Sequence, residues 1–512
     1  MAALAKLLDG AAAVVDRTIG VMSPRTALRR VRERALLARA YEGASPLDGW
    51  RPRRPGASAN TDHAMDAASL RTRARALVQN VPYVRAGLDS LVADTVGTGI
   101  VPRSLAPNGE GAKVDKLWNA WAAAADADGR MDVYGLMAAA YRAMEQDGEV
   151  LIRLRARRVE DGLPVPLQLQ LLEIDWLDSA KSGTNGGNTI VNGVEYDPLG
   201  KLVAYWLFDK HPGEMVSLRS AKASSHAVDA RTVVHLFRQE RPGQGRGFTR
   251  LAPVIARVRD IQLYEDAELQ RKNLETRLGA IASGDVGAMD LDSGAGAGAG
   301  GTTASRNDSG ELGTLASGGI VRVPDGVNVT LVEPKAAPGY VDYVKFNLHL
   351  VASGMGVPYE ALTGDMSETN FASSRMRNIS YRRNVEQTQW LTLIPQLGVI
   401  WRAFIDAGLL AGRVARRDYS VDWSTPKWQY TNPVQDVSAD LAEVSGGLSS
   451  FSEKLRQRGY KPELVFDELK SDLERLKSDG TLDLLLALQK GKTFGAMGSA
   501  MDAAARDALT DA

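Results

Sequence analysis

The chain has 512 residues, 44% hydrophobic and 24% charged, an ordinary globular composition long enough for two to four packed regions. Its 62 Lys and Arg balance 62 Asp and Glu, which excludes the broadly basic surface that grips nucleic acid through counterion release. With no cysteine, disulfide frameworks and thiolate metal sites are excluded as well.

The first 60 residues hold eleven Lys or Arg against five Asp or Glu, concentrated in 25–39 and at Arg51, Arg53 and Arg54. Asp9 interrupts the apolar start, so this stretch reads as an amphipathic arm rather than a targeting segment, with a Pro-rich linker over 45–55. No window holds 18 consecutive apolar residues, and no membrane-crossing helix is expected. Residues 66–103 read as two helices separated by Asn80-Val81-Pro82, the second stopped by Gly97 and Gly99. Asp126-Ala127-Asp128-Gly129 invites a calcium-loop reading. It fails, because such a loop needs glycine at its sixth position and glutamate at its twelfth, and a helix-ending turn is expected instead.

A helix over 134–149 should end in Asp147-Gly148-Glu149 and lead into strands at 150–155 and 167–171. Paired acids such as Glu149 and Glu173 invite a two-carboxylate hydrolase reading. Between 185 and 240 the text is β in character: turn signals at Gly186-Gly187, Asn192-Gly193 and Pro198-Leu199-Gly200 separate strands at 189–191, 194–196, 202–208 and 233–237. His235 reads as a satisfied strand histidine, and His63, His211, His226, His235 and His349 show no metal-ligand spacing. The glycine-rich turn at 241–248 lacks the Lys-Ser/Thr that would meet a phosphate.

A long helix is expected from 251 to about 280, roughly 45 Å at 1.5 Å per residue, with charges of both signs on faces suited to packing beside copies of itself. Residues 284–319 alternate Gly and Ala with Ser and should be flexible. A hairpin with Asp325-Gly326 at its turn is expected over 319–332. A second helix, 339–355, carries Tyr343, Phe346 and Leu350 on one face and is stopped by Gly354, Gly356 and Pro358. A small polar loop follows, then a helix over 373–407 that Pro395 should kink. Short strands at 419–423 and 428–430 and helices over 448–488 complete the pattern. Gly491-Lys492-Thr493 is no nucleotide loop, because Leu486 stands where glycine is required.

The block GVPYEALTGDMSETNFASSR, residues 356–375, resembles the signature of the lambda-type bacteriophage portal proteins. Val96-Gly97-Thr98-Gly99-Ile100, Asp147-Gly148-Glu149 and Leu172-Glu173-Ile174-Asp175 are similar to further family elements, and the likeness extends over about residues 66–470. It departs at Asn432 and Gln435-Asp436, where the family carries Asp and Lys-Glu. The resemblance implies an α+β, mainly helical, ring-forming subunit with wing, stem, clip and crown regions. The expected division is a basic N-terminal arm and linker (1–60), a wing (61–248), a stem helix (249–283), a clip with the Gly/Ala-rich insert (284–337) and a second stem helix (338–360). The tunnel loop (361–374), the kinked wing helix with its return strands (375–430) and a helical crown (431–512) follow.

By the same resemblance the chain is a head–tail connector, a ring, usually of twelve copies, at one capsid vertex of the virion, assembled in the host cytoplasm. Double-stranded DNA passes through it at packaging and ejection. The implied partners are the terminase large subunit, the major capsid protein and head-completion or neck proteins. No enzyme activity, cofactor, metal or membrane partner is implied. The implied DNA-facing residues are Asp365, Ser367, Glu368, Thr369 and Asn370, in a loop without Lys or Arg. Without the resemblance, a two-carboxylate hydrolase and another ring-forming capsid or neck protein stay open.

Overall fold

The computed structural model describes residues 56–107, 109–214, 224–276, 279–283, 328–332, 339–367, 370–426, 428, 433–457, 460 and 462–478. The basic arm over 1–55, most of the Gly/Ala-rich segment and everything beyond 478 lie outside the described residues. The described elements mix helix and sheet, with helix predominating.

Helices α1 (Ala59–Asn80) and α2 (Pro82–Thr95) break where Val81 is extended ahead of a proline that starts the next helix. α2 ends into Gly99, at φ 120°, where a Cβ would lie 2.3 Å from the Tyr134 ring, so no other residue fits. Strand β1 (Val101–Ser104), α3 (Glu110–Ala122) and α4 (Val133–Asp147) follow. Asp132 caps α4 by accepting from the Gly135 N–H at 2.7 Å. Gly148 closes it at φ 98° and turns the chain into β2 (Glu149–Ala156).

β2 is the centre of a three-stranded antiparallel sheet, flanked by β3 (Leu167–Leu172) and β9 (Val233–Phe237). Between these two, β4 (Gly183–Asn185), β5 (Asn188–Val191), β6 (Val194–Tyr196), β7 (Leu202–Phe208) and β8 (Ser225–Asp229) form an antiparallel meander. The four strands expected in this stretch are present, and β4 and β8 are added.

The expected long helix is shorter. α5 runs Ile255–Thr276, 22 residues or about 33 Å, after a turn over 251–254. Its expected last residues instead form β10 (Gly279–Ser283), antiparallel to β11 (Asn328–Val332). From Gly279 on, strand pairing with a segment about 45 residues further along overrides the helical spacing. The expected hairpin partner over 319–326 lies outside the described residues; the described partner of β11 is β10.

α6 (Tyr340–Met355), α7 (Tyr359–Thr363) and α8 (Phe371–Thr388) come next. A π-helical turn, Gln389–Leu393, joins α8 to α9 (Ile394–Leu410). The irregularity expected at Pro395 therefore takes the form of a widened turn, which relieves the clash between the proline ring and the carbonyl one turn earlier. By length and mean hydropathy the run Ser374–Leu410 would pass for a membrane-crossing helix. Leu397, Ile400, Trp401, Phe404 and Ile405 of that run are nevertheless buried in the main core. There Trp401 and Phe404 meet Trp118 of α3 at centroid distances of 5.3 and 5.0 Å.

β12 (Val421–Ser424) returns to pair with β1. The strand expected at 428–430 is not seen at Trp428, which instead lies under the Arg382 guanidinium, and 429–430 are outside the described residues. α10 (Pro433–Ser445), α11 (Phe451–Gln457) and α12 (Pro462–Ser478) end the described chain.

Candidate functional site

The loop joining α7 to α8 is short and firmly footed. α6 ends at Gly356, φ 71°, and α7 at Gly364, φ 74°, so two left-handed glycines turn the chain within nine residues. Leu362 of α7 and Met355 of α6 are buried against α2 at Gly87, where an added Cβ would lie 2.8 Å from Leu362 and 2.9 Å from Met355. α5 and α6 carry this foot. Val254, Val258 and Ile261 pack with Leu348, Val351 and Ala352 in one core, and Val254 presses on Gly354 at 2.4 Å from its would-be Cβ. Arg257 donates to buried Asn347 at 3.1 Å, and Arg250 reaches the Met355 carbonyl at 2.8 Å while paired with Glu145.

The expected site residues divide on inspection. Glu368 and Thr369 lie outside the described residues. Ser367 and Asn370 are exposed. Asp365 is turned back onto its own loop. It accepts from the Ser367 N–H at 3.0 Å and the Tyr359 hydroxyl at 3.4 Å, with the Lys345 ammonium at 3.8 Å. The hydrogen bonds from Ser367, then the Lys345 charge, hold its carboxyl below the ordinary value. Phe371 and Ala372, expected in the loop, already belong to α8.

At the loop's base Glu360 of α7 pairs with Arg377 of α8, and His349 stacks on Tyr359 at 4.0 Å. Lys345 and Arg377, cations next to the loop, are thus each set against an acid, and the segment 364–370 contributes none of its own. Sequence reading missed Lys345, Glu360 and Arg377. These partners lie 17 and 20 residues apart, across a turn, with no local spacing to mark them.

The other chemically suggestive groups are accounted for by structure. Glu149 is fully buried and saturated. Arg246 grips both of its oxygens at 2.7 Å, the His63 and His235 imidazoles approach at 3.1 and 3.0 Å, and the Gly247 N–H donates at 3.1 Å. Burial works to raise its pKa, but Arg246 and the two histidines hold it well below the ordinary carboxylate value. Burial pushes His235 down despite Glu149. Arg246 also donates to the Asn192 carbonyl at 2.6 Å, which ties the meander to the three-stranded sheet. Such a carboxylate has no capacity left for acid–base work, so the two-carboxylate reading of Glu149 and Glu173 fails. The reading of His235 as a satisfied strand residue holds. The glycine-rich turn exists to deliver Arg246: Gly247 lies so close to Gly148 that a Cβ would sit 2.1 Å from its carbonyl oxygen.

Asp126 organises its turn rather than a cation, accepting N–H donations from Asp128, Arg130 and Met131 at 3.0, 2.8 and 3.0 Å. Although no sequence spacing announces it, Glu173, Asp175 and His211 come within ligand distance of one another. Arg75 already occupies that cluster, 2.6 Å from both Asp175 and Asp147, and supplies the positive charge a metal would.

Comparison with known proteins covers most of the chain. The family model described as phage portal protein, lambda family, matches residues 44–389. A protein of Halomonas phage phiHAP-1 named probable portal protein is 25% identical over 446 residues, covering 82% of this chain and 83% of the relative. Among solved structures, the virion of a native gene transfer agent particle contains a chain 15% identical, with 81% of this chain and 98% of that one aligned at a TM-score of 0.43. The neck of the native particle, computed with C12 symmetry, gives 15% identity, coverages of 78% and 94%, and a TM-score of 0.42.

Proposed function

This chain belongs to the lambda family of phage portal proteins, and on that premise we propose that copies of it, twelve in number, form the ring through which double-stranded DNA enters and leaves one vertex of the capsid. In this reading the two sheets and the helices around them, within 61–248, are the wing. α5 and α6 are the stem, β10 and β11 the clip, the loop at 361–374 the tunnel loop, and 431–512 the crown. The terminase large subunit docks at the clip during packaging and head-completion or neck proteins take its place afterwards, while the major capsid protein surrounds the wing. The portal is a structural component of the virion, assembled in the host cytoplasm.

The observation that carries the DNA-channel reading is the charge arrangement at the loop. A polyanion is slowed by a wall that neutralises its phosphates, since each neutralised phosphate releases counterions and strengthens binding. Here 364–370 supplies no cation, and Lys345 and Arg377 at its base are set against Asp365 and Glu360. Ser367, Glu368, Thr369 and Asn370 then touch DNA sterically and weakly. Asp365 shapes the loop from within. The footing on Gly87, Leu362 and Met355 gives the loop a fixed base.

The reading is tested by a reconstruction of the assembled particle. It places 364–370 on the inner wall at the narrowest point; a loop on the outer rim, pointing away from any pore, would refute it.

A further inference from the structure

The three-stranded sheet has two unlike faces. On one, Ile152 and Leu154 of β2 pack into the main core with Leu167 and Leu169 of β3 and Val234 and Leu236 of β9. On the other, the first half of β2 is covered: Glu149 is taken by Arg246, and Leu151 is buried in the smaller core with Leu172 and Val233. The second half is open. There Arg153, Arg155 and Arg157 follow one another at every second residue, the first two half-buried and the third exposed. At the rise of a strand they stand about 7 Å apart. Arg157 lies one residue past β2 but keeps the pairing, its N–H donating to the Pro166 carbonyl at 2.9 Å.

This row is held in place by amides, not by acids. Gln170 and Gln168 of β3 stand opposite Arg153 and Arg155. The Arg155 Nε donates to the Gln170 Oε1 at 2.8 Å, and the Arg157 Nε to the Gln168 Oε1 at 2.8 Å. Gln168 is itself fixed, because its amide donates to the Ala124 and Asp126 carbonyls at 3.0 Å each. The Arg153 side chain has no hydrogen-bond partner, and none of the three arginines pairs with a carboxylate, among the described residues. Acids nearby are committed elsewhere: Asp126 to its own turn, and Asp161, in the connection to β3, to the Arg158 N–H at 3.0 Å. Burial, then the Arg153 and Arg157 charges, hold the Arg155 guanidinium below its ordinary pKa. Like charges at regular spacing, oriented by neutral side chains and without counter-ions, suit an anionic ligand.

We propose that this ladder of arginines is a docking surface for an extended acidic segment of a partner protein, with carboxylates at alternate residues. An extended chain repeats its side chains on one side at the same interval of about 7 Å, so successive carboxylates fall against successive guanidiniums. With its Nε committed to Gln168, Arg157 keeps both terminal nitrogens for a carboxylate, and Arg155 keeps its Nη1. A nucleic acid fits less well. The residues across from Arg153 and Arg155 are Gln168, Gln170 and Val233, which offer no aromatic ring to stack a base. The proposal does not depend on assembly of the chain into a ring.

The test uses the full chain and two fluorescent peptides, one alternating Glu and Thr, the other of the same composition with its glutamates in one block. Binding is read by fluorescence anisotropy and folding by far-UV circular dichroism. The alternating peptide is expected to bind several-fold more tightly than the block peptide, and less tightly as salt rises. Arg155→Gln combined with Arg157→Gln is expected to stay folded and to lower its affinity at least tenfold. Gln170→Glu, which supplies the missing counter-ion from within the sheet, is expected to lower it several-fold. No binding of the alternating peptide, or equal affinity for the two peptides, overturns the proposal, as does binding that the double variant and Gln170→Glu leave unchanged. A single-stranded oligonucleotide that binds the wild type more tightly than the alternating peptide, and loses its hold on the double variant, overturns the choice of partner.

Discussion

Glu149 and Asp365 are both carboxylates held below their ordinary pKa, yet they do opposite work. Glu149 is fully buried and bound on all sides by Arg246, His63, His235 and the Gly247 N–H. It joins α1, β2, β9 and, through Arg246, the meander. Asp365 is at the surface, bound by its own loop and by Lys345. In the low-dielectric interior, pairing is a condition of folding, because an unpaired charge there is intolerable. At the surface, water screens the same pairing, and what it fixes is the path of a few residues. The core around β2 is held by its ion cluster; the loop is only shaped by its own.

Three changes sharpen that contrast. Glu149→Ala strands the Arg246 guanidinium in the core, and a loss of about 3–5 kcal/mol is expected in urea unfolding. A loss below 1 kcal/mol would mean that water or rearrangement satisfies Arg246 easily.

The second change is pH. Glu149 and His235 each bind a proton more weakly folded than unfolded, so the unfolded state takes up more protons and stability falls as pH falls. The stabilisation is complete above about 6.5. It declines first as the unfolded histidine titrates and again below about 4.3, as unfolded glutamate does. The urea midpoint should therefore drop between pH 7.5 and 5 in the wild type, and a flat midpoint would contradict the cluster's role.

Asp365→Asn gives the smallest effect. No measurable shift in Tm is expected, but faster proteolysis within 364–370 should follow. A Tm drop comparable to that of Glu149→Ala would erase the distinction between the two sites.

Much of this was legible from residue order because it depends on neighbours. Asn80-Val81-Pro82 divides two helices, Gly148 turns a helix into a strand, and Gly356 stops a helix, all through local backbone preference. What was not legible depends on distance. Arg246 and Glu149 are 97 residues apart, and β10 pairs across a long insert, so the helix expected to run to about 280 meets a strand at Gly279 instead. Periodicity also does not say which face is covered. Tyr343, Phe346 and Leu350 share a helix face as expected, yet that face is exposed. Asn347, Leu348, Val351 and Ala352 take the core side. Of the candidate loop, the missing Lys and Arg could be read directly from the sequence, whereas the engagement of Asp365 could not.

The claim that the loop passes DNA because it lacks cations is met most directly by adding them. In a packaging assay with otherwise wild-type heads, Ser367→Lys with Asn370→Lys should slow DNA entry markedly, and the slowing should ease as salt rises, because counterion release weakens with salt. An unchanged packaging rate and unchanged DNA retention at every salt concentration would contradict it.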